Sequence, residues 1–278
     1  MEKIKKIITH GGVAHLDDLL SVSLACYLHP SANVERRDPT ADELNDPGVL
    51  VLDVGGAYDP PKNNFDHHQL HEGNECALSL YAREILLHDE LTLHDGLVDF
   101  PWYAPLVEMD NRGPFAFATK RKISPNLVFE LNSPIEHLLR KSFGSGTFVS
   151  DEILNLLNFV GRGIINDAKK QIEGLLNLSK RSKIIFIGGL QGVLIAGDDM
   201  TGFERWRKNF PDLAFRIAWD DRGPGLALLR LDDHPAIDFK RVEGNEAIEF
   251  VHKNGFICKT KTRDLDLART LVKESITR

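Results

Sequence analysis

Cysteine is scarce in this sequence, with three in 278 residues. Cys26, Cys76 and Cys258 are far apart, odd in number and never in a CxxC spacing. That excludes a disulfide framework and a thiolate zinc site, and a reducing cytoplasm is the expected compartment. No run of about 18 apolar residues occurs, so no membrane span is expected. Positions 1–8 turn polar after two or three apolar residues, so no signal peptide is expected either. A basic excess is also missing: 34 Lys and Arg face 41 Asp and Glu, a formal net charge of −7. Such a balance argues against a protein that holds nucleic acid by bulk charge alone, while leaving room for a local basic groove. Internal repeats and low-complexity tracts are absent. So are the HxH first strand and the eight strand–helix units of a metal-dependent amidohydrolase barrel.

What the chain does have is a set of imidazoles and carboxylates at the ends of apolar segments. The central stretch is Phe65-Asp66-His67-His68-Gln69. In extended backbone, neighbouring side chains point to opposite faces, so Asp66 and His68 share one side while His67 takes the other, unless a turn splays all three. Alone, such a triplet is as readily a polar surface loop. Its company changes that reading: Thr9-His10-Gly11-Gly12-Val13-Ala14-His15-Leu16-Asp17-Asp18 precedes it, and Val49-Leu50-Val51-Leu52-Asp53-Val54-Gly55-Gly56 lies between the two.

Residues 3–9 read as a short strand ending at His10. From Asp17 the spacing of Leu19, Leu20, Val22, Leu24, Ala25 and Leu28 predicts a helix, with an aspartate able to cap its start. Residues 34–37 form a second expected strand. Residues 49–53 are a continuous apolar run closed by a carboxylate, the pattern of a strand buried on both faces. An Asp at the carboxyl end of a parallel strand lies where open α/β sheets place their ligands. A helix is expected over 77–87, and the aromatic stretch 100–108 delivers Asp110 just before turn residues. Residues 126–140 read as helix and connection, 142–147 as a flexible turn, and 150–180 as one long amphipathic helix.

From residue 182 the pattern changes to strands at 183–187, 193–196, 213–219 and 225–231. Asp220-Asp221-Arg222-Gly223-Pro224 makes a hairpin connection between the last two. A short helix over 246–253, a strand over 255–259 and a closing helix over 264–275 complete the reading. Positions 240–278 hold nine Lys and Arg against six Asp and Glu, a solvated face more readily than an anion-binding one. Trp102, Tyr103, Trp206, Phe215 and Trp219 can stack on bases, although core packing accounts for most of them. The expected organisation is a metal-binding α/β domain over 1–149, a helical linker over 150–181 and a smaller mixed α/β substrate-binding domain over 182–278.

His10, His15, Asp17, Asp53, His67, His68 and Asp110 fall at or near the expected strand ends. Nitrogen and oxygen donors without sulfur suit Mn²⁺, Mg²⁺, Fe²⁺ or Zn²⁺. Seven donors exceed the needs of one ion. A pair of ions roughly 3.5–4 Å apart, sharing one carboxylate, would use them and would stabilise both oxygens of a phosphoryl displacement. A side chain left off the metals can hold the phosphate or protonate the leaving oxygen.

These motifs resemble the DHH phosphoesterase superfamily, and more closely its melanocyte-proliferating-gene-one branch of metal-dependent, exonuclease-like proteins. The resemblance rests on Thr9-His10-Gly11-Gly12 with His15 and Asp17-Asp18, and on Asp53-Val54-Gly55-Gly56-Ala57-Tyr58-Asp59-Pro60. It rests also on Phe65-Asp66-His67-His68-Gln69, on Asp110-Asn111 and on Phe250-Val251-His252-Lys253-Asn254-Gly255-Phe256-Ile257. It implies a parallel-sheet α/β domain joined by a long helix to a smaller mixed α+β domain that closes over the site. It implies that His10, His15 and Asp53 bind one ion and that Asp17, Asp53, His67 and Asp110 bind the other. His68 then contacts the phosphate and acts as acid, Asp66 orients its neighbours, and Arg222 and His252 touch the substrate. Asp95 and Asp99 compete with Asp110 for the last ligand position. The organelle-targeting leader of eukaryotic members is not expected here.

The function expected is that of a phosphodiesterase using two divalent ions, with manganese first and magnesium admissible. The expected activity is a 3′–5′ exonuclease on RNA or single-stranded DNA. The acidic balance keeps open a hydrolase of small phosphoesters, such as short oligonucleotides, cyclic dinucleotides or bisphosphate nucleotides. A non-catalytic metal- and phosphate-binding protein is the reading from another class, and a homodimer is left open.

Overall fold

The computed structural model describes residues 3–70, 74–130, 133–144 and 146–277. His71, and Ser145 of the expected turn, lie outside the described residues. The chain divides into two compact units, Met1–Lys170 and Gln171–Arg278.

The first unit is built on strands β1 (Lys6–Thr9), β2 (Asn33–Arg36), β3 (Val49–Leu52), β4 (Tyr58–Asp59) and β5 (Asn64–Phe65). They form one sheet in the order β2-β1-β3-β5-β4, parallel except for β4 at its edge. The apolar runs explain the position of β1 and β3. Ile7, Leu50 and Leu52 enter the main core, whereas Ile8, Val49 and Val51 enter a separate cluster with Val54 on the other face. Alternate residues of each strand are therefore buried on opposite sides, and no polar stripe is needed. Helices α1 (Leu16–Leu28) and α2 (Ala77–Glu84) contribute Leu19, Val22, Leu24, Leu78 and Leu80 to the main core.

The chain then makes a small hairpin, β6 (Leu86–His88) and β7 (Leu91–Thr92), and a one-turn helix α3 (Leu93–Leu97). The Thr92 side chain accepts from Asp95 N, and the Asp95 carboxylate caps Thr92 in return, which commits Asp95 to a helix start. Helix α4 (Tyr103–Arg121) is broken at Gly113, whose φ of 78° and ψ of 160° are non-helical, immediately before Pro114. Asp110 thus lies inside the helix, about one turn ahead of the break, and the turn residues expected after it are that break. Helices α5 (Pro125–Glu130), α6 (Pro134–Phe143) and α7 (Asp151–Arg181) follow. Helix α7 takes up the long amphipathic stripe, and the division between the units falls within it.

The second unit carries β8 (Ser182–Ile187), β9 (Leu190–Ile195), helix α8 (Phe203–Arg207), β10 (Leu213–Trp219), β11 (Leu226–Arg230), β12 (Ile248–Val251), β13 (Ile257–Thr260) and α9 (Leu265–Glu274). Its six strands run in the order β12-β13-β11-β10-β9-β8, with β9 and β10 parallel and the other neighbours antiparallel. The Asp264 side chain accepts from Asp266 N and Leu267 N and so caps α9. The helix expected over 246–253 is instead strand β12, paired antiparallel with β13. Ile248, Phe250 and Val251 are β-branched or aromatic, and Asn254-Gly255 is a hairpin turn signal that outweighs a weak helical spacing. The turn closes with Gly255 N donating to His252 O.

Candidate metal centre

Three segments that leave the carboxyl ends of the parallel strands bring the donors together. His10 follows β1. The loop after it ends at His15, the N-cap of α1, which makes no side-chain capping bond. Asp17 and Asp18 occupy the first turn of α1 and do not cap it; both are buried. Asp53 follows β3 with φ of 60°, a left-handed conformation that costs a non-glycine residue roughly 1–3 kcal/mol and is retained mostly at functional positions. Two residues on, Gly55 has φ of 95°, a backbone conformation that favours glycine, and a Cβ there would lie 2.9 Å from Leu44 Cδ2. Gly56 N donates to Asp66 Oδ2 at 2.7 Å, locking the β3 turn to the Asp-His-His segment after β5.

The ligand atoms form three sets, each with its atoms within 4.8 Å of one another: His10, His15 and Asp53; Asp53, His67 and His68; His15, Asp17 and Asp110. Asp53 belongs to two sets, and so does His15. Asp110 joins from α4, its Oδ2 3.0 Å from His67 Nε2, which is also 3.2 Å from Asp53 Oδ1. One ring nitrogen cannot give its proton to both carboxylates, and neither contact makes an aligned hydrogen bond. Asp66 accepts from His68 N at 3.0 Å, and its Oδ1 lies 2.7 Å from His68 Nδ1. This fixes Nδ1 as the donor and leaves His68 Nε2 free, on a side chain 63% exposed.

Two partners were not picked out from the sequence as site residues. Asp18 Oδ2 lies 2.9 Å from His10 Nε2 and 3.2 Å from Arg36 Nη1, and the Asp18 and Arg36 side chains are fully buried. Arg36 also donates to Gly12 O and lies 4.2 Å over the Phe143 ring. The His10 Nδ1 contact to Gly11 O at 2.8 Å turns Nε2 toward Asp18 and Asp53. Asp18 was visible as the neighbour of Asp17. Arg36 has no local signal, because its role depends on β2 lying beside β1.

The electrostatics ask for positive charge. Asp17 is pushed well above the usual carboxylate range by burial first and by the Asp53, Asp110 and Asp18 charges next. Asp53 is raised by burial, only partly offset by His67. Burial works against a charged His67, yet close contact with Asp110 and Asp53 lifts it to about 10. His10 rises to about 9, first through Asp18 and against burial. Asp66 is buried and Asp110 half-buried, but contacts with the His68 segment and with His67 respectively hold both below the ordinary value. Asp17 buries both carboxylate oxygens without a hydrogen-bond donor, and Asp18 buries Oδ1 likewise. Orphaned buried carboxylates beside over-basic imidazoles are what a cation site becomes when protons alone neutralise it. The nitrogen and oxygen donor set therefore fits hard or borderline divalent cations.

Arg222 and His252 belong to the second unit. Arg222 follows β10 with a side chain 84% exposed. His252 follows β12, its Nδ1 accepts from Asn254 N, and its ring centroid lies 4.1 Å from that of Phe256. Of the stacking candidates, Tyr103, Trp206 and Phe215 are buried in core, while Trp102 and Trp219 remain partly exposed. Among the described residues, no helix is long and apolar enough to cross a membrane.

Residues 6–77 match the MYG1_exonuc family model, described as Uncharacterised protein family (UPF0160). The chain is 40% identical over 67 residues to a protein of Rattus norvegicus named MYG1 exonuclease, which is 23% of this chain and 17% of the relative. It is 39% identical over 69 residues to the MYG1 exonuclease of Homo sapiens, again 23% of this chain and 17% of the relative. The match thus takes in about a sixth of those relatives' own length. A solved DHH domain from a member of the s1p family of ribosomal proteins overlays with a TM-score of 0.32 at 14% identity, covering 97% of this chain and 86% of that one. That overlay is too loose to carry weight, and the fold is read from the sheet order itself. Residues 6–77, which supply every clustered donor except Asp110, are the part of the chain that is similar to the MYG1 exonucleases.

Proposed function

We propose that this chain is a metal-dependent phosphodiesterase acting on nucleic acid, a 3′–5′ exonuclease that hydrolyses RNA or single-stranded DNA. The observation that carries the reading is the convergence of the three donor sets through Asp53 and His15. His10, His15 and Asp53 would hold one divalent ion, and Asp17, Asp53, His67 and Asp110 a second, with Asp53 common to both. When bound, such ions supply charge neutralisation for phosphoryl oxygens and a water of lowered pKa; manganese suits the mixed imidazole and carboxylate set.

The chain's own residues supply the rest. Asp66 accepts a hydrogen bond from His68 Nδ1 and so fixes its ring. With both ring nitrogens protonated, His68 would donate from Nε2 to a non-bridging phosphate oxygen or pass that proton to the leaving oxygen. Asp18, braced by Arg36, holds His10 in place. Arg222 and His252 are proposed as substrate contacts from the second unit. The net charge of −7 favours short over long polyanions, so di- to pentanucleotides are the substrates to try beside longer strands.

The test is a Mn²⁺-dependent assay with 5′-labelled single-stranded oligonucleotides. A ladder shortened stepwise from the 3′ end is expected. Asp53→Asn should lose on the order of 10³-fold, about 4 kcal/mol of transition-state stabilisation, with its circular dichroism unchanged. A folded native chain that cleaves no phosphodiester in Mn²⁺ or Mg²⁺ would end the proposal.

A further inference from the structure

Five of the seven donors form one wall of a cavity far larger than a phosphate group requires. It measures about 670 Å³ and lies wholly within the first unit. His15, Asp17, His67, His68 and Asp110 line it, and so do Leu16, Leu70, Leu106, Met109, Pro114 and Val128. The break in α4 is what opens it. Asp110 and Met109 stand before Gly113 and Pro114 after it, and all four residues border the space. Gly113 has φ of 78°, and a Cβ placed there would meet nothing within 4 Å, so backbone conformation rather than crowding demands glycine at the break.

A ligand that fills this space must carry an anion at the donor wall and a weakly polar body against the apolar one. The remaining lining groups narrow the choice. Asn111, Glu136 and Arg140 also face the cavity. Arg140 pairs with Glu136 at 3.6 Å, yet its Nε is buried with no hydrogen-bond partner. Asn111 Nδ2 already donates to Glu75 O, so an acyl chain would strand the Arg140 Nε donor, at a cost of roughly 1–3 kcal/mol. A nucleobase has both features needed: flat apolar faces, and an edge of ring nitrogens and exocyclic groups. The volume also lies within the roughly 300–1,000 Å³ of pockets that enclose small organic ligands.

We infer that this cavity is a nucleobase subsite, which seats the base of the nucleotide whose phosphate lies at the donor cluster. The inference rests on the phosphodiesterase reading for the position of the phosphate, and it deepens that reading by assigning affinity to the nucleoside as well as to the ester. It predicts discrimination against phosphoesters that carry no base.

Equilibrium binding separates the two ideas. Calorimetry in saturating Mn²⁺ would compare AMP and CMP with ribose 5-phosphate, none of which is a phosphodiester. The native chain should bind the nucleotides at least about tenfold more tightly, a preference of roughly 1.4 kcal/mol. Val128→Trp fills the cavity from α5, which supplies no metal donor. It should bring that preference to within about twofold and leave ribose 5-phosphate unchanged. Val128→Ser, which adds no bulk, should reduce the preference in the same direction by a smaller factor. Equal binding of AMP and ribose 5-phosphate by the native chain, no binding of either, or equal weakening of both by the two variants would overturn the subsite. A chain that prefers AMP but cleaves no oligonucleotide keeps the subsite and loses the proposed activity. A chain that cleaves but ignores the base does the reverse.

Discussion

The two units treat buried carboxylates in opposite ways. In the second unit, buried Asp220 pairs with Lys259 and accepts from Arg222 N, Thr260 Oγ1 accepts from Leu226 N, and Ser275 donates to Leu271 O. Each group finds its partner within the fold. In the first unit, Asp17, Asp18, Asp53 and Asp66 are buried close together, with Arg36 as their one buried guanidinium and histidines as the other counter-charges. A folded chain keeps such a concentration of carboxylates only when something compensates the desolvation. The buried carboxylate of the second unit is balanced by a lysine of its own fold, although Arg216 and Arg230 there keep a buried Nε without a hydrogen-bond partner, whereas the clustered carboxylates of the first unit lack such internal balance.

That contrast can be broken in several places. The largest stability effect is expected for Arg36→Met, which strands the buried Asp18 charge. Urea unfolding should show a loss of about 3–5 kcal/mol. A loss below about 1 kcal/mol would show that water reaches Asp18 and that the unit is less dry than its geometry suggests. Next is the metal itself: Mn²⁺ at a hundredfold over its Kd should stabilise the native chain by about 2.7 kcal/mol. Hydrogen exchange should place the added protection at β1, β3 and the start of α1, leaving β10 and β11 unchanged. Protection spread evenly over both sheets would dissolve the contrast.

Asp18→Asn sharpens the comparison, since it keeps the shape and removes the charge that orients His10. Mn²⁺ affinity by calorimetry should fall by roughly 10–100-fold, while Asp53→Asn should abolish the transition outright. The smallest effect lies in the balanced unit. Asp264→Ala removes the cap of α9 and should cost about 1 kcal/mol of unfolding free energy, with Mn²⁺ affinity unaltered.

Much of this was legible from residue order because the relevant signals are local. Residues 3–9 announce a short strand and Val49 to Leu52 one buried on both faces, and the imidazole or carboxylate that ends each marks the ligand edge of a parallel sheet. The long stripe of α7 and the hairpin around Asp220 are equally local. What was not legible depends on which segments become neighbours. Arg36 reads as an ordinary strand-end cation until β2 lies beside β1 and α1 brings Asp18 beneath it. Asp110 was read as lying just before turn residues, and those residues instead break a helix just after it has delivered the carboxylate. The error at β12 has the same origin, since Ile248 to Val251 are held by the Ile257 to Thr260 strand and not by their own spacing.

The left-handed backbone at Asp53 has a practical consequence. Glycine adopts that conformation without strain, and Asp53→Gly would also remove a carboxylate that crowds Asp17, Asp18 and Asp110. Directed evolution for heat tolerance alone, in metal-free buffer, should therefore enrich this very replacement. The hardiest clones would be inert ones, and any laboratory campaign on this scaffold must select for turnover at every round.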